Sequence, residues 1–196
     1  NSRMSQPTGV APPKPHVAHE AHHEELGFWR KYVFSTDHKV IGIQYATTGL
    51  LFLLFGFLLM MLMRWQLAYP EAALPLLGRL LGEARMPGGV MLPEFYNELG
   101  AMHGTIMVFL GVVPIAVGGF GNFVLPLQIG APDMAFPKVN MVSYWCLFLG
   151  GVTMLGSFLV PGGAAQAGWT SYVPLAVLAG TGQTWWLIGM VFLITS

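Results

Sequence analysis

The chain has 196 residues, of which 54% are apolar and only 9% are Asp, Glu, Lys or Arg. Soluble domains carry about 25% charged residues, so this composition does not fit an ordinary water-soluble enzyme. Nine basic residues cancel nine acidic ones, which removes the electrostatic case for nucleic-acid binding. Three runs contain no charge at all: Val40–Met63 with 24 residues, Leu99–Pro132 with 34 and Val139–Ser196 with 58. A hydrocarbon core of about 30 Å needs roughly 20 apolar helical residues per crossing. The chain therefore reads as an all-α, polytopic transmembrane helix bundle. A single cysteine, Cys146, excludes an internal disulfide and any multi-cysteine metal site built from this chain alone.

In chain order, residues 1–27 read as a polar tail. Asn1–Pro15 has too little apolar surface to offset the entropy of ordering it, and it lacks the basic-then-apolar pattern of a cleaved signal peptide. His16, His19, His22 and His23 follow, mixed with Glu20, Glu24 and Glu25. His19 and His23 are four apart and would share a helix face, a spacing that can hold a metal; a solvated, weakly titrating helix start is the expected reading. Phe28, Trp29, Tyr32 and Phe34, interleaved with Arg30 and Lys31, form an interfacial collar.

Residues 28–196 are expected to be a transmembrane domain. A first span covers about 40–64 and stops at Arg64. The connector Leu67–Glu98 carries Pro70, Pro75, Pro87, Gly88, Gly89 and Pro93, with a short surface helix over Leu74–Leu81. A second span covers about 98–127, a Gly/Pro loop follows at Gln128–Lys138, and a third span covers about 139–160. The uncharged loop Pro161–Gln183 leads to a span at 184–196. At 1.5 Å per residue that last span reaches about 20 Å, so the chain is expected to be truncated inside a helix. Arg30, Lys31 and Lys39, set against Arg79 and Arg85 in the connector, favour a cytoplasmic N-terminus.

His103 is the only histidine inside a span. A neutral imidazole is a common metal ligand, and polar groups at membrane depth usually face the bundle interior; the alternative is hydrogen-bonded glue between helices. Gly100 and Gly104 bracket it and leave room for something broad and flat, which favours a haem ligand. Arg64 ends the first span where the second begins, so it lies at the depth of His103. It can reach the same cofactor or snorkel to lipid phosphate, and residue chemistry alone favours snorkelling. Asn122 lies 19 residues beyond His103, about 28 Å along a straight helix, and so near the opposite face. With Asp133 and Asn140 it can order water and admit protons; capping of helix ends is the alternative that residue chemistry alone favours. Trp169 and Tyr172 in the uncharged loop are interface anchors or a cover for a cofactor edge.

Several runs resemble subunit I of the respiratory heme-copper oxidases, and the cytochrome c oxidase branch most. These are Phe34-Ser-Thr-Asp-His-Lys39 with Ile41-Gly42, Tyr96-Asn97, His103-Gly-Thr-Ile-Met-Val108, and Gly118-Gly-Phe-Gly-Asn122 with Pro126-Leu127. Ile129-Gly-Ala-Pro-Asp-Met-Ala-Phe-Pro137, Asn140, Ser143-Tyr-Trp145 and Gly168-Trp-Thr-Ser-Tyr172 with Pro174 continue the pattern, which covers about residue 31 onward. The resemblance implies part of a twelve-helix core. It puts His103 on an axial ligand of the low-spin haem, expected to be haem A, and Arg64 on the arginine that bonds that haem's formyl group. Tyr96 falls beside a propionate of the same haem, and Trp169 near the propionates of a second, high-spin haem. Asp133 falls on the carboxylate at the mouth of a proton channel, with Asn122 and Asn140 just inside it.

The same resemblance implies an oxidoreductase that takes electrons from cytochrome c, reduces O2 to water and pumps protons in a bacterial inner membrane. Its implied partners are other oxidase subunits, including a copper-carrying subunit that docks cytochrome c, and a respiratory supercomplex. The copper ligands, the histidine below the second haem and the second low-spin ligand are expected after Ser196, so no catalytic residue of the O2-reducing centre is expected here. Met141 stands where the family usually has a second Asn, and the connector is longer than the mitochondrial pattern. The competing readings are a quinol oxidase or nitric oxide reductase of the same superfamily, and a cofactor-free membrane bundle.

Overall fold

The computed structural model describes residues 27–74 and 81–196. The histidine-bearing tail, and all but the end residues of the surface helix expected over Leu74–Leu81, lie outside the described residues. Those residues form helices and loops with no strand among them. The helices are α1 (His38–Ala68), α2 (Pro93–Ile129), α3 (Pro137–Leu159), a single turn α4 (Leu175–Leu178) and α5 (Thr181–Thr195). The first three are long and apolar enough to cross a membrane.

The helices overrun the expected spans because local chemistry, not hydropathy, sets their ends. Asp37 caps α1, its Oδ1 accepting the Lys39 amide at 2.7 Å. Pro93 occupies the first turn of α2, where its missing N–H costs nothing, so the helix starts five residues ahead of the expected Glu98. Gly130 closes α2 in the left-handed region at φ 70°, and the Ala131 amide bonds the Pro126 carbonyl at 2.9 Å. Pro137 opens α3 in the same way as Pro93 opens α2. Two π-helical stretches interrupt α2, at Ile106–Val112 and Pro114–Phe120. Pro114 has no N–H for an ordinary turn, and wider turns absorb such a defect.

Between helices in a membrane there is little hydrophobic driving force, so close packing of small residues carries the association. On α1 the glycines recur every seventh position, at Gly42, Gly49 and Gly56. A Cβ added at each would press on α2: on Gly119 O at 3.0 Å, Ile115 Cγ1 at 2.6 Å and Met107 Sδ at 2.8 Å. From the other side, Leu53 lies over Gly111 and the Tyr45 ring over Gly118. The α3–α5 pair repeats the device, since a Cβ on Gly150 would sit 2.8 Å from Gly189 O. Phe52 of α1 packs on Gly151 of α3, joining the two pairs. Buried Ile41, Tyr45, Phe52, Leu59, Leu99, Met102, Ile106, Leu110, Leu147 and Met154 fill the interior. Leu50, Leu51, Leu54 and Leu58 on the outer side of α1 stay exposed, as a lipid-facing stripe does.

This packing predicts a contrast among three glycine-to-alanine variants. Gly49→Ala and Gly150→Ala should each lose about 1–3 kcal/mol in detergent unfolding titrations, from overpacking. Gly121→Ala, where a Cβ meets nothing within 4 Å, should be neutral or slightly stabilising. Equal losses at all three positions would contradict the packing account.

Candidate functional site

Two polar clusters sit at opposite ends of the α1–α2 pair. At the connector end, His103 is half-buried on α2, and its Nδ1 lies 2.9 Å from the Gly56 carbonyl oxygen of α1. A carbonyl can only accept, so Nδ1 carries the proton and Nε2 keeps a free lone pair. A second group that fixes the tautomer and orientation in this way is what metal-bound histidines ordinarily have. Tyr96, Gly100 and His103 are four and then three residues apart and share one face of α2. Tyr96 and Gly100 line a cavity of about 380 Å³ with Met63, Gln166 and Gly168. Beside His103, Gly104 has no atom within 4 Å of where a Cβ would stand, so that flank is open. An imidazole with a free, oriented Nε2 and a bare helix surface beside it suits a planar metal macrocycle.

Arg64 is exposed on α1 and makes no hydrogen bond among the described residues. It lies eight residues beyond Gly56, about 12 Å along the helix, and Tyr96 lies about 10 Å from His103 in the same direction. Arg64 and Tyr96 thus occupy similar depth, toward the connector from the imidazole. Trp169 is not brought into this cluster. Its ring stacks at a tilt on Phe109, with centroids 5.9 Å apart, and it is 57% exposed.

At the other end, a cavity of about 560 Å³ is walled mainly by apolar side chains such as Val113, Val117 and Leu147. Asn122, Asn140, Tyr45, Ser143 and Ser196 are the polar side chains set into that wall. Asn122 Nδ2 donates to the Gly118 carbonyl at 2.8 Å, but Asn122 Oδ1 and Asn140 Nδ2 are buried with no partner among the described residues. Buried polar atoms in a roomy cavity are satisfied by water, so one lone acceptor and one lone donor mark water positions. Asp133 is half-buried in the loop, its Oδ1 accepting the Met134 amide at 2.7 Å; Met134, not Asp133, lines the cavity. The carboxylate therefore stands beside the cavity rather than in its wall.

Neither asparagine is a cap. Phe136 precedes α3 without a side-chain cap bond, Asn140 already lies within the helix, and Asn122 is interior to α2. That removes the helix-capping alternative for both. Residue reasoning missed three participants. Buried His38 uses Nδ1 to hold the Asn122 carbonyl at 2.8 Å, and Tyr45 Oη meets Ser143 Oγ at 2.6 Å. His38 and Ser143 lie within the runs that carry the family resemblance, and Tyr45 had only spacing as a signal, seven residues after His38.

A family model described as Cytochrome C and Quinol oxidase polypeptide I matches residues 40–196. The cytochrome c oxidase subunit 1 of Thermostichus vulcanus is 43% identical over 176 residues, covering 89% of this chain and 29% of that protein. The cytochrome c oxidase subunit 1 of Synechocystis sp. is 41% identical over 177 residues, covering 90% and 29%. An alternative cytochrome c oxidase subunit 1 of Bradyrhizobium diazoefficiens is 41% identical over 170 residues, covering 86% and 26%. The chain thus spans a little under three-tenths of the length of these relatives.

His38→Ala, which strips the Asn122 carbonyl of its cross-helix donor, should cost about 1–3 kcal/mol of unfolding free energy. His38→Asn, which can still donate, should recover part of that loss. An unchanged unfolding midpoint in His38→Ala would contradict the clamp.

Proposed function

The chain belongs to the Cytochrome C and Quinol oxidase polypeptide I family, and on that premise we propose that it holds the low-spin haem of a terminal respiratory oxidase and forms the mouth of its proton channel. The observation that carries this reading is the His103 imidazole, held at Nδ1 by the Gly56 carbonyl and left free at Nε2. When bound, the haem supplies one-electron transfer between the donor and the O2-reducing centre. His103 Nε2 would hold the iron, and the Gly56 bond keeps the ring from turning. Gly104, with nothing within 4 Å of where a Cβ would stand, would leave the helix surface flat beside the macrocycle, while Gly100 takes the Met63 side chain of α1. Arg64 would donate to an oxygen substituent of haem A, and Tyr96 would hold a propionate. Trp169, assigned by resemblance to the second haem's propionates, draws no support from its contact with Phe109.

At the opposite end, Asp133 collects protons from the cytoplasm. Water held by Asn122 Oδ1 and Asn140 Nδ2 carries them inward past the Tyr45–Ser143 pair. The apolar wall excludes competing hydrogen-bond partners, so water order follows these few polar atoms. The complete enzyme takes electrons from cytochrome c, reduces O2 to water at a haem–copper centre supplied by the rest of subunit I, and pumps protons. Its partners are the other oxidase subunits, including the copper-carrying one that docks cytochrome c. Its location is a bacterial inner membrane, with the N-terminus and Asp133 on the cytoplasmic side. The relatives named as cytochrome c oxidases favour that donor over quinol; turnover with reduced cytochrome c against quinol decides between them.

In the full-length protein, His103→Ala should abolish the low-spin haem absorption while the high-spin haem remains. An unchanged spectrum would refute the ligand. Asp133→Asn should slow proton uptake on the order of tenfold or more, with both haem spectra intact. Wild-type uptake and pumping in that variant would refute the channel mouth.

A further inference from the structure

We propose that Glu98 is a proton-exchanging carboxyl at the connector end, linked through Gln166 to the side of α2 that bears Tyr96 and His103. The link to the haem rests on the oxidase reading above; the exchange of a proton at Glu98 itself does not. Glu98 is 4% exposed, and its Oε2 has no hydrogen-bond partner among the described residues. It lines a cavity of about 470 Å³ with Arg85, Glu94, Gly163 and Gln166. A second cavity, of about 380 Å³, holds Tyr96 and Gly100 on the His103 face of the same helix. Gln166 lines both cavities, so one amide, which can donate and accept, stands between the carboxyl and the haem face. Each cavity has room for several waters at about 30 Å³ apiece.

Two charged groups face Glu98 across its cavity, Arg85 from the connector and Glu94 from its own helix. Arg85 approaches from the connector, but its Nη2 is given to the Phe158 carbonyl at the end of α3, and its guanidinium lies 5.7 Å from the Phe95 ring centroid. The guanidinium therefore eases the burial of a carboxylate without closing Oε2. Glu94, one turn earlier on α2, repels a negative charge there, and the Ala164 amide and Gln166 complete the surroundings. A buried carboxylate with one oxygen unpaired is costly, so taking up a proton relieves that cost, and the resulting O–H can donate to cavity water. The step balances. A hydronium in the Tyr96 cavity passes its proton along water held by the Gln166 amide; an O–H bond forms at Oε2 as one breaks on the last water, and the amide is left unchanged. On release toward the connector face that O–H bond breaks as one forms on a water of the cavity lined by Arg85 and Glu94, leaving the carboxylate. Gly163, at φ +81°, lets the loop close over the carboxyl, where any Cβ would overlap the carboxylate.

The competing picture is a static Glu98–Arg85 pair that never changes protonation. Infrared difference spectra of the full-length complex, taken across a pH jump and across haem reduction, separate the two. The expected result is a carboxyl C=O band in both spectra that Glu98→Gln removes and Glu98→Asp retains at a shifted position. With haem absorption unchanged, Glu98→Gln should slow proton release to the connector side about tenfold. Absence of any Glu98-dependent band, or release within twofold of wild type, overturns the proposal. A wild-type complex with no haem absorption overturns the oxidase reading, and the haem link falls with it; the pH-jump band then reports on the carboxyl alone.

Discussion

Glycines 42, 49 and 56 on α1 let α2 approach so closely that no Cβ fits between them without displacing a neighbour. Two histidines then fix how the antiparallel pair slides. His38 of α1 holds the Asn122 carbonyl of α2, and His103 of α2 holds the Gly56 carbonyl of α1. The two clamps lie 18 residues apart on α1 and 19 on α2. On an ideal α-helix 18 residues make five turns, so the α1 contacts share a face, while one residue more turns the α2 contacts by about 100°. The π-helical turns between Ile106 and Phe120 rotate the Asn122 end relative to the His103 end from where an uninterrupted helix would leave it. A slip by one residue would break both clamps and drive side chains into glycine positions.

That register places chemistry at both ends. At the connector end, His103, Tyr96 and Gly100 share one face of α2, and the Gly56 carbonyl fixes the orientation of the imidazole. Orientation of this kind lowers the entropic cost of ligation and fixes which nitrogen binds. At the far end, the same seam presents Asn122 to a cavity that α3 completes with Asn140 and Ser143. One helix pair therefore carries a polar cluster at each end, about 27 Å apart along its axis, with an apolar interior between them.

Much of this was legible in the sequence. Uncharged runs announced the three long helices, and the motifs around His103 and Gly118–Pro137 pointed to the family. Helix ends were less legible, because Asp37, Pro93 and Pro137 act through caps and first-turn geometry rather than hydropathy. The partners were not legible at all. That Gly56 offers its carbonyl to His103, or that Tyr45 meets Ser143 across 98 residues, follows from the register of two helices, which no single run encodes. In the sequence Glu98 stands only as the last residue of the connector. Its burial depends on Gly163 bringing a distant loop over it. Asn140 stands near the expected span start, where a cap would sit, and is interior because Pro137 sets the helix start upstream of it.

The clamp on His103 is tested most directly by electron–nuclear double resonance on the oxidised full-length protein with ¹⁵N-labelled histidine. The account predicts an iron-bound nitrogen that disappears in His103→Ala, together with an exchangeable proton on the remote ring nitrogen that is strongly hydrogen-bonded. A low-spin iron signal that persists without His103, or a remote nitrogen with no hydrogen-bonded proton, would contradict it.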